Sequence, residues 1–295
     1  DINNEASHDI VKKGLAMLCN LEHRGAVGAD PKAGDGSGIL IQIPHNFLVK
    51  EVKNINLPEK NNYGVGVFFI KKDTRVKEAI FKLIEEVCEK ENVPFLGWRE
   101  CPTYGDELGW SVKPTIPLVY HLFVGKPENI YHQDDWERKI YVLRQCIDKA
   151  VAQMGDQYYD QFYIPSFSSR TILYKGMVLS DQVGTVGNQL GFFEDLSDPL
   201  IESSFALIHQ RFSTNTFPTW SLAQPFRMLC HNGEINTVRG NINWMNARHS
   251  ILKSDKFSND IDKIWPIIKE GQSDSASFDN ALELLVHGGY SIAEA

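Results

Sequence analysis

Two passages between Tyr63 and Val151 limit the fold, because each leads from a run of β-type residues into a long amphipathic helix. The first strand is predicted in YGVGVFFI, where Val65, Val67 and Phe69 fall on one face. A helix from about Asp73 to Lys90 follows, and its apolar stripe consists of Val76, Ile80, Leu83, Ile84, Val87 and Cys88. The second strand is predicted in IPLVYHLFV, and its helix begins after Asp134 and Asp135. The stripe of that helix contains Ile140, Leu143, Ile147 and Val151.

The flanking sequence adds further elements to this pattern. An amphipathic helix is predicted from Ser7 to Asn20, with Ser7 as its cap, and AGDGSGILIQIP predicts a tight turn that leads into a half-buried strand. The second half predicts strands in closer succession, in FYIPSFS, TILYKGMVLS, SFALIHQRFS and FRMLCH. Helices return after Asn236 and after Ser273, the latter with an apolar side of Phe278, Ala281, Leu282 and Leu285. Antiparallel sheets covered by helices form an α+β layered architecture.

Composition excludes several classes of function. The chain has 295 residues, with 30 Lys and Arg against 38 Asp and Glu, and it has no basic run. Nucleic acid is therefore not expected as a partner. The apolar runs are too short for a membrane span, and the first residues, DINNEASHDI, do not resemble a signal peptide. These features predict a cytoplasmic protein that does not bind membranes.

Cysteine and histidine spacing gives no indication of a metal site. The five cysteines are Cys19, Cys88, Cys101, Cys146 and Cys230, and no two form a CxxC pair. An odd number of dispersed cysteines indicates reduced thiols. The glycine-rich stretches GDGSG and GTVGNQLG lack the spacing and context of nucleotide-binding loops, so they are interpreted as turns.

Cys230 and His231 are adjacent in FRMLCHNGEINTVRG, which raises the question of a cysteine nucleophile with a histidine base. If FRMLC is a strand, consecutive side chains point to opposite faces and these two cannot face each other. A buried structural cysteine is then favoured over a catalytic one.

Asn232 and Gly233 follow directly, and they allow two interpretations. A glycine after a strand permits close approach of a substrate to an N–H group, and an asparagine amide can donate a second hydrogen bond to an oxyanion. The same dipeptide is also common in turns.

Two charged residues suit the recognition of an amino acid. Arg211 follows a predicted strand and could bind an α-carboxylate through its guanidinium group, whereas a surface ion pair is the simpler alternative. Asp274 lies at a helix start and could bind an α-ammonium group. Its simpler alternative is a cap or a favourable N-terminal charge.

The combination of motifs resembles a known family. HRGAVGADPKAGDGSGILIQIPH, YGVGVFF, LGWRE, SSRTILYKGM, HQRFSTNTFPTW, HNGEINTVRGNINWM and SDSASFDNALELLV occur in order across nearly the whole chain. Together they resemble the N-terminal glutaminase domain of the glutamate synthase large subunit, a class II glutamine amidotransferase. The resemblance implies an N-terminal-nucleophile hydrolase fold, which is a four-layer αββα sandwich.

The resemblance also assigns roles to residues of this sequence. Arg211 and Asp274 would bind glutamine, and Thr214 and Asn215 would line the same pocket. Asn232 and Gly233 would form the oxyanion hole. The nucleophile of the family is an N-terminal cysteine whose own α-amino group serves as base. The matching CGVGF-like segment is expected just ahead of Asp1, and residues 1–295 are expected to be one amidotransferase domain of a longer chain.

The implied reaction is hydrolysis of L-glutamine to glutamate and ammonia. Ammonia would reach a synthase region of the same polypeptide, where 2-oxoglutarate becomes glutamate. The resemblance implies FMN and an iron–sulfur cluster in the full-length protein and no cofactor in this domain, with ferredoxin or a small reductase subunit as a further partner. The alternatives are a catalytically inert glutamine-binding or regulatory domain and a structural domain that serves assembly.

Overall fold

The computed structural model describes residues 1–25, 29–210 and 217–295. Its α-helices are α1 (His8–Asn20), α2 (His45–Glu51), α3 (Thr74–Lys90), α4 (Gln133–Gln153), α5 (Asp156–Tyr159), α6 (Val238–Ala247) and α7 (Asp274–His287). Its strands are β1 (Ser37–Gln42), β2 (Tyr63–Ile70), β3 (Phe95–Glu100), β4 (Leu118–Gly125), β5 (Tyr163–Ser168), β6 (Thr171–Gly176) and β7 (Ala206–Gln210). Short 3-10 helices span Glu22–Arg24, Lys113–Thr115, Ser180–Gln182, Glu194–Ser197 and Ser258–Ile264.

The strands form two antiparallel sheets, which confirms the predicted mixture of antiparallel sheets and helices. One sheet has the order β6-β1-β7 and the other β3-β4-β2-β5. In the first sheet Leu40 of β1 is opposite Leu173 of β6 and Leu207 of β7. The two sheets are connected by the short turn between β5 and β6, where Glu137 of α4 accepts hydrogen bonds from Ser168 and Ser169.

Strand β2 is buried on both of its faces. Val65, Val67 and Phe69 project into one hydrophobic core with residues of α1, α2 and the three-stranded sheet. Phe68 and Ile70 project into a second core formed with α3 and α4. The predicted alternation in β2 is confirmed. The prediction that the strand after the glycines is half-buried is wrong, because β1 is buried at every position from 37 to 41.

Helix α3 forms where the sequence predicts it. The side chain of Asp73 accepts hydrogen bonds from the main-chain nitrogens of Arg75 and Val76, so two N–H groups of the first turn have a partner. Ile80 and Ile84 of the predicted stripe are fully buried against the four-stranded sheet. Complete burial of such a side chain contributes about 1.5–3 kcal/mol.

The predicted strand FRMLCH does not form, since the described segment 226–231 contains no strand. Its main-chain groups have other partners. The nitrogen of Phe226 donates to the carbonyl of Leu229, and the nitrogen of Met228 donates to the carboxylate of Asp279. Because these groups are satisfied by a turn and by side chains, the segment needs no sheet neighbour.

The predicted apolar side of α7 is wrong in part. Leu282 is buried, but Phe278 is 42% exposed. The buried face instead carries Asp279, Asn280 and Glu283. Charged residues can occupy that face because two arginines from other parts of the chain meet them there.

No described helix is long and apolar enough to span a membrane.

Candidate active site

The N-terminus of α7 brings an acidic side chain to a loop that precedes it by about forty residues. Ser273 is the N-cap, and its hydroxyl accepts a hydrogen bond from the nitrogen of Ala276 at 3.1 Å. Asp274 is therefore the first helical residue and not the cap. Its Oδ1 accepts from the nitrogen of Ser275 at 2.6 Å, and its Oδ2 accepts from the nitrogen of Ile235 at 2.8 Å. The positive end of the helix dipole also favours a carboxylate at this position.

Segment 231–235, which we call the oxyanion loop, is held by α7 at both ends. Asp274 binds its last residue, as described above. Ser275 Oγ is 3.3 Å from Nδ1 of His231, the first residue. Between these contacts Asn232 and Gly233 are exposed to solvent. The loop thus exposes Asn232 and Gly233, and its last residue binds a buried carboxylate.

A side chain at position 233 would meet the imidazole ring of His231. A Cβ atom at this position would lie 2.6 Å from Nε2 of His231 and 2.8 Å from its Cε1. Carbon atoms do not approach so closely without displacement, so any larger residue would push the imidazole away from Ser275.

Gln224 holds the main chain of His231 from the other side. Its Oε1 accepts from the nitrogen of His231 at 2.8 Å, and its Nε2 donates to the carbonyl of His231 at 3.1 Å. The side chain is almost fully buried. This paired contact resembles one step of a β-ladder and replaces the sheet pairing that segment 226–231 lacks.

Lys175 of β6 anchors the residues just before Gln224. Its Nζ donates to the carbonyls of Ser221 at 2.8 Å and Ala223 at 2.7 Å, and it lies over the rings of Tyr163 and Phe226. The side chain is completely buried. Burial, reinforced by the charge of Arg227, lowers the pKa of Lys175 well below its ordinary value.

A buried charge network joins the start of this segment to α7. Arg227 lies 3.1 Å from both Asp279 Oδ2 and Glu283 Oε2, and Arg144 of α4 forms a second ion pair with Glu283. Burial opposes the charge of Arg227, but Glu283 and Asp279 outweigh it and raise its pKa. Two arginines and two acids leave the group electrically balanced, as buried charges require.

A cavity of about 790 Å³ lies beside this network, lined in part by Leu40, Phe167, Arg227, Glu283 and Val286. Asn232, Gly233 and Asp274 do not line it. We place the candidate site at the oxyanion loop, because a reacting carbonyl needs exposed donors close to a charged group, and Asn232 and Gly233 are exposed in the loop that Asp274 binds.

Comparison with protein families matches residues 1–295 to the class-II glutamine amidotransferases. The chain belongs to this family.

Relatives of this amidotransferase domain include long chains of named function. It is 46% identical over 288 residues to the glutamate synthase [NADPH] large chain of Bacillus subtilis, covering 98% of the domain and 18% of that protein. It is 40% identical over 298 residues to ferredoxin-dependent glutamate synthase 2 of Synechocystis, with coverage of 100% and 18%. It is 42% identical over 307 residues to glutamate synthase [NADH] of Saccharomyces cerevisiae, with coverage of 99% and 14%. The chain therefore spans less than a fifth of each of these proteins.

The predicted site residues of the amidotransferase domain divide into two groups. The structure brings Asn232, Gly233 and Asp274 together at the oxyanion loop. Arg211, Thr214 and Asn215 lie outside the described residues.

Three residues of the site were not predicted from the sequence, namely His209, Gln224 and Ser275. His209 Nε2 lies 2.5 Å from Asn232 Oδ1, and the other two bind His231. His209 lies within HQRFSTNT and Ser275 within SDSAS. Their place in these motifs is the feature of the sequence that could have indicated a role in the site.

Cys230 is half-buried, and it does not lie on a strand. The strand argument that separated it from His231 is therefore wrong, and so is the expectation of full burial. Its Sγ is 3.8 Å from the carbonyl of Ile208, and burial raises the pKa of the thiol above its ordinary value. A raised pKa keeps the sulfur protonated at neutral pH, which is unfavourable for a nucleophile.

Cys101, His121 and Asp195 form a buried group close enough together to hold a metal ion. Arg99 occupies this position instead, with its guanidinium nitrogens 2.7 and 2.8 Å from the two oxygens of Asp195. A divalent cation would have to displace this pair and lie beside a buried positive charge. The residues therefore do not fit a metal centre.

Proposed function

We propose that this domain hydrolyses L-glutamine to glutamate and ammonia. The observation that carries the proposal is the hydrogen bond from Ile235 to Asp274, which attaches the loop of Asn232 and Gly233 to the carboxylate. The chain that contains this contact belongs to the glutamine amidotransferase family. Exposed oxyanion donors beside a carboxylate suit a substrate that has both an amide and an α-ammonium group.

In this proposal each site residue has one task. Asp274 binds the α-ammonium group of glutamine. Nδ2 of Asn232 and the nitrogen of Gly233 donate to the oxygen of the amide carbonyl as it becomes an oxyanion. Arg211 binds the α-carboxylate, and Thr214 and Asn215 line the pocket next to it.

We assign the nucleophile to a cysteine ahead of Asp1. The nitrogen of Asp1 donates to the carbonyl of Ser204, and Ser7 pairs with Ser203 in an antiparallel bridge. A preceding segment that continued in this direction would pass along the edge of β7, towards His209 and Asn232. Among the described residues, β7 is paired in a ladder with β1 along one edge, so the other edge can accept such a strand.

The chemistry then follows two steps. The α-amino group of the cysteine takes the thiol proton, the sulfur attacks the amide carbon, and a C–S bond forms while the C–N bond breaks. The departing nitrogen receives the proton and leaves as ammonia. Water next attacks the thioester carbon, and a second oxyanion forms. The C–S bond then breaks, the sulfur receives a proton from the water, and glutamate and the thiol are released. Asn232 and Gly233 stabilise the oxyanion in both steps.

We further propose that residues 1–295 are one domain of a longer cytoplasmic glutamate synthase with a four-layer αββα sandwich. The two antiparallel sheets share one hydrophobic core, and α3 and α4 cover the other face of the four-stranded sheet, which supports the layers. The synthase region of the same polypeptide would hold FMN and an iron–sulfur cluster and would convert 2-oxoglutarate with the ammonia. Electrons would come from ferredoxin, which the name of the Synechocystis relative gives for that protein, or from a small reductase subunit.

Glutamine hydrolysis by the full-length protein tests the proposal, with two cysteine variants compared. Alanine at the cysteine ahead of Asp1 is expected to abolish ammonia release, whereas Cys230→Ala is expected to leave it unchanged. The reverse result would assign the nucleophile to Cys230. If the parent protein binds glutamine without hydrolysing it, the domain is the inert glutamine-binding or regulatory module.

A further inference from the structure

We propose that His209 is a positioning residue that orients the Asn232 amide for oxyanion binding. This inference rests on the proposed function and extends it to a residue on β7. His209 Nε2 lies 2.5 Å from Asn232 Oδ1. A carboxamide oxygen only accepts hydrogen bonds, so Nε2 carries the hydrogen.

The direction of this hydrogen bond decides which end of the amide meets the substrate. When Oδ1 of Asn232 is bound to His209, Nδ2, which lies in the same plane on the other side of the Cβ–Cγ bond, is directed away from His209. Nδ2 is the only part of the side chain that can donate to an oxyanion. If the amide were rotated by half a turn, its oxygen would face the developing negative charge and would oppose it.

His209 is itself held firmly, which a positioning residue requires. The side chain is 6% exposed, whereas Asn232 lies in an exposed loop. His209 is opposite Gly38 of β1, and Gly38 is opposite Lys175 of β6. Directly opposed residues project from the same face of an antiparallel sheet.

Lys175 and His209 therefore contact the same stretch of chain from one sheet face. Lys175 binds the carbonyls of Ser221 and Ala223, and His209 binds the side chain of Asn232. Gly38 between them has no room for a side chain, because a Cβ atom would lie 2.6 Å from Cβ of Lys175. The rigid sheet thus determines the orientation of an amide on a loop.

A double-mutant cycle in the full-length protein tests this role. Glutamine hydrolysis is measured for His209→Phe, for Asn232→Ala and for the double variant. Removal of one oxyanion donor lowers kcat by about 10²–10³-fold, so Asn232→Ala is expected to fall in that range. We expect His209→Phe to lower kcat at least about ten-fold with an unchanged KM, because only the orientation of Asn232 Nδ2 is lost. The double variant should match Asn232→Ala alone.

Conservative replacements separate positioning from folding. The side-chain amide of His209→Gln can reach Asn232 and donate, whereas that of His209→Asn is one methylene shorter. We expect the glutamine variant to retain most of kcat and the asparagine variant to lose it, at equal thermal stability. His45→Phe is the matched control, since it removes the 3.0 Å hydrogen bond of a half-buried histidine to Tyr63 away from the site. It should leave kcat unchanged.

The outcomes distinguish this inference from the proposed function. If Asn232→Ala leaves kcat unchanged, the proposed oxyanion hole is wrong. If Asn232→Ala is inactive but His209→Phe is fully active, or if the two losses multiply in the double variant, only the positioning role is wrong. Equal activities of His209→Gln and His209→Asn would also overturn the positioning role. If His209→Phe does not fold, the comparison of these two variants decides whether His209 has that role.

Discussion

Oδ2 of Asp274 accepts a 2.8 Å hydrogen bond from the main-chain nitrogen of Ile235. The residue proposed to bind the α-ammonium group of glutamine is therefore also a support of the oxyanion loop. Substrate recognition and transition-state stabilisation share one side chain, and suitable substitutions can separate the two tasks.

Asp274→Asn removes the charge but keeps an oxygen that can accept from Ile235. We expect KM for glutamine to rise roughly 10–100-fold, since a hydrogen bond to a charged group is worth about 1.5–3 kcal/mol, while kcat changes little. Asp274→Ala removes both functions, so KM should rise and kcat should fall. Steady-state kinetics of the two variants provide the comparison. Equal kcat values for them would show that the Ile235 contact is unimportant for catalysis.

Gly233→Ala should lower kcat by about 10²-fold, because the added methyl group meets the His231 ring and displaces the nitrogen that we propose as an oxyanion donor. Gly240 in α6 is the matched control, since a Cβ atom there has no neighbour within 4 Å. Gly240→Ala should raise stability by about 0.5–1 kcal/mol and leave kcat unchanged. Glutaminase assays and thermal unfolding measure both effects. Normal turnover by Gly233→Ala would contradict the close approach.

Arg227→Met should destabilise the protein by about 3–5 kcal/mol, because it removes the ion pair of the buried Asp279 and leaves Glu283 with its ion pair to Arg144. Arg170→Met is the control. Its ion pair with Asp134 is largely exposed, at 49% and 79% for the two side chains, so we expect a change of about 0–1 kcal/mol. Urea unfolding gives both values. Similar losses for the two variants would argue against a special role of the buried network.

Stability should decline as the pH falls from 6.5 towards 4, in part because of His121. Burial lowers the pKa of this fully buried histidine from 6.5 to about 4, with a further contribution from Arg99 that Asp195 opposes. The unfolded chain binds a proton in this interval and the folded protein does not, so the stabilisation is complete above the unfolded pKa and is lost below it. The loss reaches about 3 kcal/mol at 1.36 kcal/mol per pKa unit.

Denaturant unfolding between pH 7 and pH 4 measures this dependence. His121→Gln should flatten the curve, because its amide does not titrate. His132→Gln, at an exposed position, should keep the slope of the parent protein. A slope unaffected by His121→Gln would assign the pH dependence to other groups.

Local periodicity predicted the elements whose burial depends on one regular face. Helix α3 has its stripe within a single stretch of sequence, and the stripe was predicted together with a start at about Asp73, which the structure shows to be the N-cap. The alternating pattern in FRMLCH is as regular as the stripe of α3, but the segment does not form a strand. Its main-chain groups are bound by Gln224 and by Asp279, and no pattern within the segment specifies those partners.

Helix α7 illustrates the same limit for side chains. Its buried acids are neutralised by Arg227 and Arg144, which precede Glu283 by 56 and 139 positions. A stripe drawn from apolar residues alone therefore selected Phe278, which is exposed. At the site, the family motifs supplied Asn232, Gly233 and Asp274. Only the fold revealed that His209 binds Asn232, since a histidine 23 residues upstream has no local signature of that role.

The attachment of α7 to the chain at Arg227, His231 and Ile235 has a practical consequence for hybrid proteins. A segment that includes the oxyanion loop, transplanted from a relative without its own α7, would depend on the α7 of this chain for three contacts. We expect functional chimeras to require exchange of both segments together, although about forty residues separate them. In this respect the oxyanion loop and α7 behave as one structural unit, although they are separated in the sequence.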